Sequence, residues 1–410
     1  MSSAPQTLFS HPNRLRHMGL LWDSLRLQKE LPQVDKWLSD KFKSLKQYGS
    51  TDRKLMSDGI FLVFRYGVWI LEQYLGRDLE RRVAEPSEIW ENLRSFDSAS
   101  IFPKLIERMA AEGRKDMSLK ETLIFEGIHP WYQSFLEQRA EKSHWDLGAW
   151  IQSQNVRPPL WLRINHLDQK KSILQNLKNE GFEVEDLGSA LKVSGNKGIY
   201  SNSSYQNGLL EIQDYASQCI GDTLLAKPGE IIWDACAGGG GKTMHIASAL
   251  GGKGAVLASD IRSWKLEEVK RRAKKAKFHN VRTMPWDSRK APELPREALT
   301  RGGFDRILVD APCSSSGTWR RNPDTKFRLN QNELKSLTDL QFSILNEASK
   351  ALRPSGTLVY GTCSFFVEEN EAIIERFLAE NPNFKLCQMQ MLGTPKDNAD
   401  SMFVAALIKG

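Results

Sequence analysis

Cysteine is scarce in this chain of 410 residues: there are five, an odd number, and no two stand in a C-x-x-C arrangement. That pattern argues against a disulfide framework and against a structural zinc site, so no metal is expected. Unpaired thiols fit a reduced, cytoplasmic compartment. No run of eighteen apolar residues occurs, so no membrane span is expected. The opening Met1-Ser2-Ser3-Ala4-Pro5-Gln6 lacks the charged-then-apolar layout of a secretory leader. Internal repeats and low-complexity tracts are also missing.

The net charge is +7 and unevenly placed. Residues 1–150 carry 22 Lys and Arg against 21 Asp and Glu, the remainder 35 against 29. A mild basic excess is compatible with a polyanionic partner, though many proteins of similar charge bind no nucleic acid.

The length suits two or three domains. Residues 1–153 read as all-helical, with apolar residues at helical spacing in Leu20-Leu21-Trp22…Leu25 and Ile60-Phe61-Leu62-Val63…Val68-Trp69-Ile70-Leu71. Ser50-Thr51-Asp52 offers a helix start, and Pro103 and Pro130 punctuate later, shorter helices. Gln154 to Pro159 reads as a linker. Residues 157–215 form a small α/β unit: strands at Leu160–Asn165, Phe182–Val184 and Ala190–Val193, and a helix over Gln169–Gly181. Residues 216–410 alternate strand and helix. Short apolar runs at Ile231–Trp233, Ala255–Ala258, Val281–Met284, Ile307–Val309 and Thr357–Tyr360 read as buried parallel strands of a doubly wound α/β domain. Lys385–Met389 and Met402–Ile408 suit a terminal hairpin.

The glycine run Asp234-Ala235-Cys236-Ala237-Gly238-Gly239-Gly240-Gly241-Lys242-Thr243 follows the first of these strands and opens a helix. A Walker A loop needs Gly where Cys236 stands, and the four glycines are too short a run for G-x-G-x-x-G. An S-adenosylmethionine site needs only a tight glycine turn and acidic groups for the ribose. Asp260 ends the second strand, where it can accept from ribose hydroxyls, and Asp287 follows the third, where it can flank an adenine. One such aspartate would be a cap or turn residue; Asp234, Asp260 and Asp287, after three successive strands, favour the cofactor.

Two further cysteines sit in turns after buried strands, in Asp310-Ala311-Pro312-Cys313-Ser314 and Gly361-Thr362-Cys363-Ser364. Free cysteine is usually a small buried hydrophobe, and Cys219, Cys236 and Cys387 are read so. Two thiols at adjacent strand ends suit methylation of a pyrimidine carbon. C5 of cytosine is too poor a nucleophile until a thiolate adds to C6, and a nearby acid such as Asp310 can hold the N3 proton. Arg320-Arg321 could neutralise phosphates or simply be solvated. Lys265–Lys277, with seven basic and two acidic residues, reads mainly as a solvated helix face and secondarily as an RNA contact.

At these residues the sequence resembles the Nop2/Sun/RsmB-type RNA cytosine-5 methyltransferases. The matching stretches are Asp234-x-Cys236-Ala237…Gly240-Gly241-Lys242-Thr243, Asp310-Ala311-Pro312-Cys313-Ser314…Gly317-Thr318…Arg321-x-Pro323-Asp324, and Thr362-Cys363-Ser364 with Glu369-Asn370-Glu371. Trp161-Leu162-Arg163-Ile164-Asn165 and Gln213-Asp214-x-Ala216-Ser217 extend the likeness over roughly residues 157–410. A looser likeness, through Asp52-Arg53-x-Leu55 and Arg65, links residues 1–153 to the NusB-like RNA-binding domain of the RsmB branch.

The resemblance implies a Rossmann-like S-adenosylmethionine-dependent methyltransferase domain and an RNA partner of ribosomal (16S) type; a monomer is the default expectation. It implies Cys363 as nucleophile and Cys313 as the residue assisting release, with Asp310 and Lys242 near the base. DNA cytosine-5 methyltransferases use the Pro-Cys thiol as nucleophile, which would swap the two roles. Asp234, Cys236, Ala237, Gly238, Gly239, Gly240, Gly241, Lys242, Asp260, Arg262, Asp287 and Asp310 would hold the cofactor. The chain departs from the family at Gly238-Gly239, usually Ala-Pro, and at Asp400-Ser401-Met402-Phe403, usually Asp-Gly-Phe-Phe. Two alternatives remain. One is a non-catalytic RNA-binding or ribosome-assembly factor that keeps the fold. The other is an amino-group methyltransferase, for which the aromatic of an Asn/Asp-Pro-Pro-aromatic turn is missing.

Overall fold

The computed structural model describes residues 11–112, 116–194, 198–393 and 395–410. The expectation about a leader in Met1–Gln6 lies outside the described residues. The chain divides into two compact units: residues 1–157 with Thr318–Leu334, and residues 158–317 with 335–410.

The first unit is helical. Its longest helix, Ser50–Leu75, buries Met56, Ile60, Val63, Phe64 and Leu71, a spacing of three and four that keeps one face in the core. Asp97, Ser118 and Asp146 cap three later helices, and Ser118 forms a reciprocal capping box with Glu121. Pro103 lies inside the helix Ser98–Ala110 instead of ending one. As the sixth of thirteen residues it stands past the first turn and removes the hydrogen bond an N–H there would otherwise make to Ala99 O. Gln154, expected in a linker, is buried with its main-chain carbonyl accepting from Arg65.

Sequence reading placed Thr318–Leu334 in the third domain. The structure places it in the helical unit, where Phe327 joins the core around Phe64. Arg320 is therefore a correction. It is 3% exposed and donates from Nε to Val156 O, so it is not a phosphate contact.

The second unit holds two sheets. Strands β1 (Leu160–Ile164), β2 (Glu183–Leu187), β3 (Ala190–Ser194) and β4 (Leu210–Ile212) make an antiparallel sheet ordered β2-β3-β1-β4. Strand β4 was not anticipated; at three residues it is too short to show alternation. The larger sheet contains β5 (Ile231–Asp234), β6 (Ala255–Asp260), β7 (Val281–Pro285), β8 (Phe304–Asp310), β9 (Leu352–Thr362), β10 (Phe384–Leu392) and β11 (Met402–Lys409). Its order is β10-β11-β9-β8-β5-β6-β7. Strands β5 to β9 pair in parallel, and β10 and β11 form the expected antiparallel hairpin. Strand order reverses at β5, so the crevice at the carboxyl ends of β5 and β8 is the topological switch point where such sheets bind ligands. Cys387, read as a buried hydrophobe, is exposed on β10, an edge strand with one face open.

Candidate active site

Four strands deliver the candidate residues to that crevice. Asp234 ends β5, Asp260 ends β6 and Asp310 ends β8, and the β8–β9 register sets Asp310 beside Gly361, two residues before Cys363.

The glycine loop bends sharply after β5. Gly238 and Gly240 have φ of 52° and 88°, a region that glycine enters without penalty. A side chain at Gly240 would also come 3.0 Å from Val269. Arg272 Nη1 donates to Gly239 O at 2.5 Å, and Arg272 pairs with Glu211 at 2.6 Å, bracing the loop at Gly239. Ala237 is buried, and its N–H donates to Ser259 O. Cys236 packs against the β-sheet core, and burial pushes its thiol well up.

The acids take distinct positions. Asp234 is fully buried and accepts from Thr243 Oγ1 at 2.6 Å; its other oxygen has no partner among the described residues. Burial pushes its carboxyl up to about 7. Asp260 accepts from Gly238 N at 3.1 Å and from Arg262 N, Nε and Nη2 at 2.8, 2.9 and 3.0 Å. Burial opposes ionisation of Asp260, but the Arg262 hydrogen bonds outweigh it and hold the carboxyl below its usual range. Those four bonds occupy the carboxylate. A ribose diol can bind there only if Arg262, 54% exposed at its side chain, turns away. Asp287 is exposed and lines a cleft of about 460 Å³ with Ile261 and Trp286. Ile261 is 68% exposed, an apolar surface beside Asp260 on which a flat ring can lie. Sequence reading missed it, because one isoleucine after an aspartate carries no pattern.

Lys242 Nζ and Asp310 Oδ2 lie 2.8 Å apart. Burial pulls the Lys242 ammonium down, but Asp310 more than compensates and holds it above its ordinary value, so it stays charged. Cys313 Sγ and Cys363 Sγ are 3.4 Å apart, and Ser315 Oγ is 3.6 Å from Cys363 Sγ. The hydrogen bond from Cys313 lowers the Cys363 thiol against the effect of burial, with help from Ser315 and Lys242. The same bond, then burial, pushes Cys313 well up. The two thiols are thus made unequal, Cys363 being the more readily ionised of the pair.

The Cys313 loop is anchored from below. Buried Glu369 accepts from Ser314 N at 2.8 Å, Ser314 Oγ at 2.5 Å and Gln341 Nε2 at 2.9 Å, and Gln341 also donates to Pro312 O. Ser315 is held at φ 58°, a strained conformation for a residue with a side chain. Gly317 N donates to Cys363 O at 2.9 Å, tying the two thiol loops together. A side chain on Gly317 would strike Ser401 O. On β9, Thr362 Oγ1 donates to Asn370 Oδ1 at 2.5 Å. The Glu369-Asn370 pair is therefore scaffold, as its place in the motif could have suggested. Gln341 carried no signal.

The Trp161–Asn165 stretch supports the same unit. Arg163 Nε donates to Gln213 Oε1 at 2.7 Å, and burial pulls its guanidinium down to about 10. Arg65, part of the looser N-terminal likeness, is buried in the helical unit with its guanidinium on Gln154 O and Arg320 O. Among the described residues no group of His, Cys, Asp and Glu could hold a metal ion, and no helix is long and apolar enough to cross a membrane.

The profile of the family described as 16S rRNA methyltransferase RsmB/F matches residues 222–408. Ribosomal RNA small subunit methyltransferase B of Klebsiella pneumoniae (strain 342) is 33% identical over 296 residues, 69% of this chain and 66% of that protein. The protein of the same name from Enterobacter sp. (strain 638) is 32% identical over 296 residues, 69% of this chain and 67% of that protein. The chain thus spans about two thirds of the length of these curated relatives. A solved methyltransferase homologue from Pyrococcus horikoshii has a TM-score of 0.61 at 23% identity, covering 72% of this chain and all of that one, which establishes the fold.

Proposed function

The chain belongs to the family of RsmB/F 16S rRNA methyltransferases, and on that premise we propose that it methylates C5 of a cytosine in ribosomal RNA through a covalent thiol adduct. The observation that carries this reading is the unequal thiol pair, Cys313 and Cys363 at 3.4 Å, within the influence of the Lys242–Asp310 ion pair. An amino-group methyltransferase has no use for two thiols so arranged.

S-adenosylmethionine, when bound, supplies a sulfonium-activated methyl group. The residues fit it: the glycine turn would allow its close approach, Asp260 would take the ribose once Arg262 moves, and exposed Ile261 and Asp287 would hold the adenine. Cys363 Sγ forms a bond to C6 of the cytosine, and the electron pair of the C5–C6 double bond passes toward C5 and N3. N3 takes up a proton from solvent as charge builds on it, and the Asp310 carboxylate, held by Lys242, accepts the N3–H hydrogen bond and offsets the charge on the ring. Once C5 carries the methyl group, its proton must leave. Bonding of Cys363 to C6 removes the thiolate and the hydrogen bond that raise Cys313, so Cys313 can release its own proton to solvent and, as the thiolate, take the proton from C5. The C5–H pair re-forms the C5–C6 double bond, and the C6–S pair returns to Cys363. A duplexed cytosine would first have to be unstacked. This substrate suits a cytoplasmic protein.

The test is to incubate Cys313→Ala protein with ribosomal RNA and S-adenosylmethionine and look for a protein–RNA band stable to denaturant. Cys313→Ala/Cys363→Ala is the control. A band lost in the control assigns Cys363 as nucleophile and Cys313 as the release residue. A band that survives in the control refutes those roles. Absence of any band, with cofactor bound, favours the non-catalytic assembly factor.

A further inference from the structure

The turn Gly238–Gly241 has no side chains to hold it, and glycine keeps more backbone freedom than any other residue. Gly240 N donates to Ala237 O at 2.8 Å, within the turn itself. Gly238 N donates to Asp260 Oδ2 at 3.1 Å, on the carboxylate that a ribose would claim. A turn that keeps its shape while the cofactor enters needs support that the cofactor does not compete for.

That support comes from the small sheet. Arg163 of β1 stands opposite Glu211 of β4 in the antiparallel ladder, so both side chains share one face. Glu211 is buried, and its carboxylate accepts from Arg272 Nη2 at 2.6 Å. Arg272 lies on the helix Ser263–Lys275 and donates from Nη1 to Gly239 O at 2.5 Å. Arg163 Nη2 reaches Gly241 O at 3.5 Å, while its Nε is held by Gln213 Oε1 at 2.7 Å. Two arginines thus point at two carbonyls of one turn, with Glu211 as the anion that acts on both.

A trans peptide is planar, so holding its oxygen fixes the orientation of the whole unit. Arg272 divides its two terminal nitrogens between sheet and turn, so the pair ties β4 to the cofactor loop and not only to the helix. Gly239 itself lies outside the left-handed region, and a Cβ there would meet Arg272 Nη1 at an ordinary 3.4 Å. Neither φ nor space demands glycine at this position. It leaves a loose residue that Arg272 stiffens from outside.

We infer that Glu211 and Arg272 are positioning residues for S-adenosylmethionine: the small sheet, through Glu211, presses Arg272 against Gly239 O and so sets the shape of the turn that receives the cofactor. The inference rests on the cofactor reading of the turn and not on which base is methylated. It gives the small sheet a part in cofactor affinity, although neither residue touches the reacting atoms.

The test uses the full chain with Arg272→Ala, Glu211→Gln and Arg272→Ala/Gly239→Ala. Calorimetry with S-adenosylmethionine reads affinity, and hydrogen exchange reads the order of the turn. Arg272→Ala should bind the cofactor roughly tenfold more weakly, the scale of one lost charge-assisted hydrogen bond. Glu211→Gln, which keeps its volume and one acceptor oxygen, should bind about threefold more weakly, since a neutral acceptor gives about half the strength. Adding Gly239→Ala to Arg272→Ala should recover about two- to fivefold, because alanine removes backbone freedom that the arginine had restrained. Amides of residues 238–241 should exchange faster in Arg272→Ala and slow again in the double variant, with those of β6 and β8 unmoved. Wild-type affinity in Arg272→Ala overturns the inference. So does a loss that Gly239→Ala fails to recover while exchange rises across the whole sheet, which marks general loosening. Should Arg272→Ala not fold, unchanged affinity in Glu211→Gln overturns it equally. A wild-type chain that binds no S-adenosylmethionine refutes the cofactor site and the brace together. The covalent-band experiment reads the chemistry separately: a band from Cys313→Ala beside unchanged affinity in Arg272→Ala refutes the brace alone, and a confirmed brace without any band refutes the chemistry alone.

Discussion

At the scale of single residues, the reactivity of Cys363 depends on its neighbours. Lys242 contributes to the low Cys363 thiol and stays charged through Asp310. Lys242→Met should move the inflection of Cys363 alkylation to higher pH, because the thiolate loses a cation. Methyl transfer at neutral pH should fall by about 10²-fold, in the range of a lost electrostatic group. Iodoacetamide rates against pH in a Cys313→Ala background measure the shift, and an unmoved inflection would remove Lys242 from thiol activation. Asp234 gives a stability counterpart. Its carboxyl is raised to about 7 in the fold against 3.8 free, so the folded state binds the extra proton between those values. Stability must then fall as pH rises from about 4 to 7, by an amount on the order of 4 kcal/mol at 1.4 per unit. Asp234→Asn should flatten the Tm profile between pH 5 and 8 relative to wild type; parallel profiles would mean that Asp234 stays ionised. The thiols, Asp310 and the glycine loop were legible because each sits in a short turn after an apolar run. Ile261, the Arg262 cover on Asp260 and the burial of Arg320 were not, since each depends on what the fold brings alongside.

At the scale of elements, two loops are held by single buried side chains. Glu369 accepts three hydrogen bonds under the Cys313 turn. Glu369→Gln replaces an acceptor oxygen with a donor, leaving one of these groups unsatisfied at about 1–3 kcal/mol. The turn should loosen, so kcat should drop by about tenfold or more with S-adenosylmethionine affinity retained. Calorimetry of cofactor binding beside turnover checks this, and a parallel loss of both would mean general unfolding. In the helical unit, buried Lys326 donates to Arg65 O at 2.8 Å and Gly127 O at 2.9 Å. Burial pulls its ammonium well down, with Arg65 adding to the effect. Lys326→Met keeps the volume but orphans two carbonyls, and should cost about 2–4 kcal/mol. Urea denaturation gives the figure, and trypsin should then cut within 318–334 first. The strands were readable from their apolar runs and the terminal hairpin from its spacing. The helix around Pro103 and strand β4 were not, because a proline inside a helix reads as a break and a three-residue strand leaves no distinct pattern.

At the scale of the molecule, the two units are not two continuous stretches of chain. Thr318–Leu334 lies in the sequence between the Cys313 turn and β9 yet supplies Phe327 to the helical core. A fragment of residues 158–410 should therefore expose Phe327 and Lys326, and aggregate or melt below the full chain. A fragment of residues 1–157 should lack a closed core and bind a hydrophobic dye. Light scattering and thermal melts decide, and a monomeric, equally stable 158–410 fragment would contradict this account. The sequence by itself determined the order of strands and helices, the glycine turn and the two thiol turns, because periodicity and turn chemistry act over a few neighbouring residues. Only the tertiary structure decided that Cys313 donates toward Cys363 and so favours its ionisation, that Glu369 and Gln341 hold the Cys313 turn, and that Thr318–Leu334 packs with the helices. Those outcomes depend on burial and on hydrogen bonds between residues dozens to hundreds of positions apart, which no local pattern records.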